Sequence, residues 1–487
     1  MEKFIKETFV ILTMQNEIPF KGLPSGELFD KLESLRVNDF DWKSGKTFGA
    51  VYYPGDAFAN VISKAYEMYK NENAFDPQLF KSLLTMENEV VQQTASLLSP
   101  KNKLYGNITS GGTESIFLAL ISAREWSKKT KNVSNAEVIL SSSAHPAFIK
   151  ACKFLEIKPI VIPTTVNLRL DFSTYKKAIN NNTILLVGSA PAYPYGMIDP
   201  IAELSQLALE NQLLLHVDAC IGGFILSHLR KMGYEIPPFE FSLPGVTSLS
   251  VDLHKYAYAP KGSSVLLYKD EELRKTQFSV QANWQGGVYA STTFLGTKPG
   301  GVVASSWAAL NHIGEIGYLH LTQKTWDATQ LIKQFIIGHN SLELLGEPDM
   351  SILAFKAVDV DSYKLADQLN DLGWYIGRLQ NPEGIHLVIS QIHADGAAQE
   401  FLEDLSKVLL NIQKTSVKST LTNISDKISS GFLNLLSYNK LRSTIVRSAV
   451  GKQPKSSKKR LIYGIKEQLD EEESNELFRS IMNRFYS

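Results

Sequence analysis

The feature that most narrows the fold is a rhythm between residues 105 and 270. Short apolar runs, closed by Gly, Pro, Asp or Ser, take turns with segments of helical periodicity. The runs are Val138–Leu140, Ile160–Ile162, Ile184–Val187, Leu213–Val217, Thr247–Val251 and Val265–Tyr268. Between two of them, Pro200–Asn211 sets Ile201, Leu204, Leu207 and Ala208 at helical spacing. A continuously apolar strand has no face to give to water, so it must be covered on both sides, and the intervening helices supply the cover. The expectation is an α/β fold around a mainly parallel sheet. Such sheets bind ligands beyond the carboxyl ends of their strands, which tests every polar residue that follows an apolar run.

Around this block, residues 1–75 mix helix and loop, including the turn Val51-Tyr52-Tyr53-Pro54-Gly55, and read as an N-terminal arm. Residues 76–335 form the large ligand-binding domain. Residues 336–487 form a smaller C-terminal α+β domain, with strand-like stretches at 351–358 and 384–390 separated by a helix at 362–372. The tail reads as two helical stretches around a basic run at 452–460, taken as a solvated loop.

Charge and cysteine content remove several function classes. Fifty Lys and Arg offset fifty Asp and Glu, so no global field exists to hold a polyanion, and no nucleic-acid partner is expected. Cys152 and Cys220 are too few for a disulfide framework and suit a reducing, cytoplasmic setting. The apolar run Phe9–Met14 lacks a small-residue cleavage site, and no window approaches the about 20 apolar residues that span a bilayer. A soluble protein without a transmembrane anchor is expected, with transient membrane contact left open.

Four constellations carry chemistry. Gly106–Ser115 places Gly111, Gly112 and Thr113 at a helix start, where backbone N–H groups and a hydroxyl converge on an anion; read alone, it is equally a capped glycine turn. Leu213–Cys220 ends a buried strand in Asp218, a carboxylate that needs a metal, a Lys or Arg, or a protonated ring nitrogen, or else caps a helix. Ser250–Gly262 ends another strand in Asp252-Leu253-His254-Lys255, and a desolvated strand-end lysine can condense with a carbonyl. His145, beyond the strand ending at Leu140, can stack on a planar ring or simply pack. Zinc is the rival for these histidines, but no HExxH or closely paired histidines occur, and no metal is expected.

Jointly, an anion cradle, a strand-end Asp, a strand-end Lys and a stacking His meet the phosphate, ring nitrogen, aldehyde and ring face of pyridoxal 5'-phosphate. A carboxylate about 4 Å from the ring nitrogen contributes about 4 kcal/mol at an effective dielectric of 20, enough to keep that nitrogen protonated.

At this point the sequence resembles the group II decarboxylases, pyridoxal-phosphate enzymes of the aspartate aminotransferase fold (fold type I), and within them the branch that cleaves phosphorylated sphingoid bases. The likeness runs from residue 46 to about 395 through KTFGAVYYPG, TSGGTES, HPAFIKA, GSAPAYPYGMIDP, HVDACIGGF, PGVTS, DLHKYAYAPKGSS, NWQGGVYAS and GTKPGG. HVDA and HK are shared with the amino-acid decarboxylases, whereas HKYAYAPKG and NWQGGVYAS are specific to the lyases. The resemblance implies that Lys255 holds the cofactor, Asp218 faces its ring nitrogen, His145 stacks on it, and Gly112, Thr113 and His254 bind its phosphate. It further implies that Thr297 reaches the phosphate of a neighbouring subunit, making a homodimer with shared active sites, and that Asn107, Tyr193 and Lys261 face the substrate. Lys261, six residues past Lys255, is a fixed cation suited to a phosphorylated substrate.

The implied reaction is a retro-aldol cleavage of a phosphorylated sphingoid base to a long-chain aldehyde and phosphoethanolamine, with Lys255, His145, Asp218 and Tyr193 as the catalytic set. The alternatives are an amino-acid decarboxylase on the same scaffold and a non-catalytic binder of phosphorylated lipid. Eukaryotic members of the branch add a membrane-spanning N-terminal segment absent from this sequence, which again points to a soluble form.

Overall fold

A computed structural model describes residues 18–76, 78–99, 103–358, 360–419 and 471–485. The apolar run Phe9–Met14 and the basic run at 452–460 lie outside them. The chain divides into two compact units, Met1–Asp41 and Trp42–Ser487. The first holds a helix at Ser25–Leu35; everything below concerns the second.

Each of the six apolar runs is a strand. The central sheet comprises β1 (Tyr105–Thr109), β2 (Glu137–Ser141), β3 (Lys158–Ile162), β4 (Thr183–Ser189), β5 (Leu214–Asp218), β6 (Ser248–Asp252) and β7 (Ser264–Tyr268), in the order β1-β7-β6-β5-β4-β2-β3. Only the pairings through β7 are antiparallel. The mainly parallel sheet is as expected.

The period-2 geometry of a strand explains why runs such as Val138–Leu140 and Val265–Tyr268 are apolar without interruption. Val138 and Leu140 of β2 enter the core on one face while Ile139 enters the core on the other. In β7, Leu266 and Tyr268 pack on one side and Val265 and Leu267 on the other. Each such side chain, fully buried, contributes about 1.5–3 kcal/mol. At the edge of the sheet, β3 is half solvent-exposed, and its sequence KPIVI is accordingly mixed.

Helix α1 (Gly112–Lys131) follows β1, and its buried Ile116, Leu120 and Ala123 cover one face of the sheet. Lys128, Lys129 and Lys131 sit at its carboxyl end, where cations suit the helix dipole. Helix α2 (Gly223–Lys231) follows β5 on the opposite face.

Beyond the sheet, β8 (Ser279–Trp284) and β9 (Gly287–Ser291) form a two-stranded antiparallel pair with nearly every residue exposed. Helix α3 (Gly300–Gly338) then runs under both parts of the unit. Val303, Ala309 and Ile313 join the large-sheet core, whereas Ala328, Ile332 and Ile336 join a second core. The helix breaks direction once, at Gly314, whose φ of 62° suits a residue without Cβ.

The second core belongs to an antiparallel sheet of β10 (Leu342–Leu344), β11 (Ile352–Ala357), β12 (Gly377–Leu379) and β13 (Gly384–Val388), ordered β10-β11-β13-β12. The expected helix appears at Ser362–Asp371. Phe48, near the start of the unit, stacks between Trp374, Phe401 and His393 in this core. Among the described residues, no helix is long and apolar enough to cross a membrane.

Candidate active site

The strands β1, β2, β4, β5 and β6 point the same way, and the residues at their carboxyl ends wall a cleft of about 320 Å³. Ser110, Gly111 and Gly112 come after β1, His145 after β2, Ser189 from β4, Asp218 from β5, and Asp252, His254 and Lys255 from β6. Parallel neighbours deliver their ends to one edge, so residues far apart in sequence meet there for topological reasons.

Asp218 ends β5 almost fully buried. Its Oδ1 accepts the Cys220 backbone N–H at 3.0 Å and the Ser250 hydroxyl at 3.4 Å. Ser250 also reaches His216 Nε2 at 3.3 Å, and His216 Nδ1 pairs with the Ser248 hydroxyl at 2.9 Å. Burial pushes the His216 imidazole down to about 4, against the pull of Asp218, so the ring beneath the cleft is neutral at physiological pH.

Lys255 Nζ lies 2.7 Å from Asp252 Oδ2, and His254 Nε2 lies 3.5 Å from the same oxygen. Burial opposes the charge on Lys255, but Asp252, Cys220 and Asp218 outweigh it and hold the ammonium above the usual lysine range. Burial likewise opposes the Asp252 carboxylate, and Lys255 and His254 overcome it, keeping Asp252 below the usual range.

The glycine turn is tight where it must be. Gly111 has φ +145°, and a Cβ on Gly112 would stand 2.7 Å from Cys220 Sγ and 2.9 Å from Asp252 Oδ1. Glu114, in the first turn of α1, accepts the Ser110 N–H at 2.5 Å and the Phe294 N–H at 2.6 Å, tying the turn to the loop that carries Thr297. His145 is exposed at the cleft wall, its Nδ1 accepting the Ala147 N–H at 3.2 Å.

These residues fit pyridoxal phosphate. The cleft offers a glycine turn at a helix start, an exposed Thr113 hydroxyl, a buried carboxylate at one strand end and an amine at the next. Two of its buried polar atoms, Asp252 Oδ1 and His254 Nδ1, have no protein partner. Among the described residues, no group of three or more His, Cys, Asp or Glu is arranged to hold a metal ion.

Of the other expected site residues, Tyr193 lines the cleft, its carbonyl accepting from His386 Nε2 on β13 at 2.8 Å. Lys261 stands beside the wall, donating to the His254 carbonyl at 3.2 Å with its Nζ 4.9 Å from the Tyr52 ring centroid. Asn107 and Thr297 do not line the cleft. Asn107 is buried on β1, where its Oδ1 accepts from Arg274 at 3.0 Å and Gln277 at 3.3 Å. Thr297 is exposed in the loop before α3.

Tyr52, in the turn Val51–Gly55, stands beside the cleft against Lys261. Burial raises its hydroxyl well above the usual range, with Tyr193 and Asp252 adding to the effect. Its ring packs 5.0 Å from Tyr256.

Comparisons with known proteins point to one family. The pyridoxal-dependent decarboxylase conserved domain matches residues 40–358. The sphingosine-1-phosphate lyase of Oryza sativa is 41% identical over 401 residues, covering 81% of this chain and 74% of that protein. The solved structure of the Burkholderia pseudomallei sphingosine-1-phosphate lyase superposes with a TM-score of 0.80 at 33% identity, over 85% of this chain and 97% of that one. A glutamate decarboxylase from Lactobacillus brevis superposes with a TM-score of 0.72 over 82% of this chain and 95% of that one, at 17% identity, a likeness of fold alone.

Proposed function

The chain belongs to the pyridoxal-dependent decarboxylase family, on the branch of the sphingosine-1-phosphate lyases, and on that premise we propose that it splits phosphorylated sphingoid bases between C2 and C3. The products are a long-chain aldehyde and phosphoethanolamine. It is a lyase dependent on pyridoxal phosphate. The observation that carries the reading is the convergence of Lys255, Asp218, His145 and the Gly111–Thr113 turn on one cleft, with the Lys261 cation beside it.

In this reading Lys255 anchors the cofactor carbonyl, Asp218 faces its ring nitrogen, His145 covers its ring, and Gly112, Thr113 and His254 hold its phosphate. When bound, the cofactor supplies an electron sink for the pair released as the C2–C3 bond breaks. Asp218, positioned by the Cys220 N–H and the Ser250 hydroxyl, would face that sink. Once the substrate amine has displaced it, Lys255 Nζ would give a proton to C2, and the C3 hydroxyl proton would pass to Tyr193, His145 or the substrate phosphate, so that one proton is given and one taken up. Lys261 meets the substrate phosphate, and Tyr193, with 44% of its surface exposed, stands where the substrate enters.

The working unit we propose is a homodimer, with Thr297 reaching the cofactor phosphate of the neighbouring subunit. The pair β8–β9 supports it: Val280, Trp284 and Val288, with the nearby Phe294, are exposed apolar side chains that a second copy would cover. Two buried free cysteines suit a cytoplasmic setting.

The test is mass spectrometry of the products after incubating the cofactor-loaded protein with sphingosine-1-phosphate. A long-chain aldehyde together with phosphoethanolamine is expected. Unconsumed substrate with the cofactor bound would overturn the reading.

A further inference from the structure

Asp252 closes β6 three residues before Lys255, with 3% of its side chain exposed. One carboxylate oxygen lies 2.7 Å from Lys255 Nζ; the other is buried with no protein partner. The carboxylate also backs onto the start of α1, because a Cβ on Gly112 would stand 2.9 Å from Oδ1 and 3.2 Å from Oδ2. A buried carboxylate left half satisfied is costly, and its presence calls for a use of its charge. The atom that receives that charge is the amine that the mechanism needs.

An amine must be neutral to attack a carbonyl, and an adjacent carboxylate keeps it protonated. A lyase that releases an aldehyde exposes its own lysine to capture by the product whenever the cofactor is away. We propose that Asp252 guards Lys255: its carboxylate holds the amine as an ammonium in the cofactor-free chain, so that aldehydes with no phosphate for the glycine turn to hold beside it, the reaction product among them, do not seize it. The guarding role rests on the lyase reading above; the protonation of Lys255 does not. The other titratable groups facing the pair are Asp218 and Cys220 from the end of β5, His254, Lys261, Tyr193, Tyr52 and Tyr256. Asp252 is the one in salt-bridge contact with Lys255 among the described residues.

The experiment treats the cofactor-free protein with hexanal and cyanoborohydride, and separately with acetic anhydride, and follows modification of Lys255 by peptide mass spectrometry across pH. Condensation of the amine with hexanal expels water, and cyanoborohydride reduces the C=N bond to a stable secondary amine. Asp252→Asn is expected to raise both rates near pH 7 by at least about tenfold, the effect of one pKa unit. Asp252→Glu, which keeps the charge, should stay near the parent rate. The parent protein alone should show a labelling midpoint above that of an ordinary lysine, which keeps the proposal testable if the Asn variant fails to fold. Equal labelling of parent and Asn variant, or an ordinary midpoint in the parent, would overturn it. Failure of the lyase reading shows separately, as sphingosine-1-phosphate left intact by the cofactor-loaded parent.

Discussion

A single added methyl group at Gly112 would press on both Cys220 Sγ and the Asp252 carboxylate, at 2.7 and 2.9 Å. Neither neighbour can move freely, since both are buried. Gly112→Ala should therefore distort the turn where the cofactor phosphate is expected, and overpacking of this kind costs about 1–3 kcal/mol. Equilibrium dialysis should show cofactor affinity reduced about tenfold or more with circular dichroism unchanged; unaltered affinity would remove the turn from the site. Lys255→Ala should abolish the visible absorption of the lysine-bound cofactor, and a purified variant that stays yellow would displace Lys255 from its role. Lys261 offers a titration. Burial and the nearby Lys255 push its ammonium down to about 8, with Asp252 pulling back. Its positive charge is thus present below that pH and lost above it, so KM for a phosphorylated substrate should climb as pH rises from about 7 to 9. In Lys261→Met that climb should vanish, and parallel profiles would leave Lys261 outside the substrate site.

Among the elements, the first turn of α1 has the most to lose. Both oxygens of the buried Glu114 accept backbone N–H groups, one from Ser110 and one from Phe294. Glu114→Gln turns one of those acceptors into a donor facing an N–H, so stability should drop by about 1–3 kcal/mol. Chemical denaturation would read this as a lower midpoint with the same slope; an unchanged midpoint would mean the two loops hold each other without Glu114. Elements of this kind also mark the limit of what sequence can convey. Strands β2, β4 and β7 were legible because burial on both faces demands an unbroken apolar run, and β3, β5 and β6 by shorter apolar stretches. β1 was not, since YGNIT carries Asn107, whose partners Arg274 and Gln277 lie beyond residue 270 and answer its polarity only after folding. Asp218 and Lys255 stood out as charges ending apolar strands, whereas Asp252 looked like a neighbour of the motif until its distance to Lys255 was known. The exposed pair β8–β9 escaped notice because no buried face imprints an alternation on it.

Across the whole second unit, α3 is common property of two cores. Val303 and Ile313 pack under the large sheet, and Ile332 and Ile336 under the small one. Loss of packing at one end therefore reaches the other along one continuous segment, across the bend at Gly314. Ile332→Ala, at a fully buried position, should cost about 2–5 kcal/mol. Calorimetry should show one transition moved down as a whole, with the cofactor's visible absorption lost in step with the far-ultraviolet signal. A split into two transitions would show that the cores melt independently. The place of β1 in the large sheet has a consequence of another kind. Among the described strands it pairs only with β7, and Thr109 pairs with Ser264. A ribosome adding about 5–20 residues per second thus leaves β1 without its partner for roughly 8–30 s after it is made. During that interval the strand that leads into the glycine turn is an open edge in a crowded cell. Synthesis is therefore the stage at which this edge is most open to pairing with another chain.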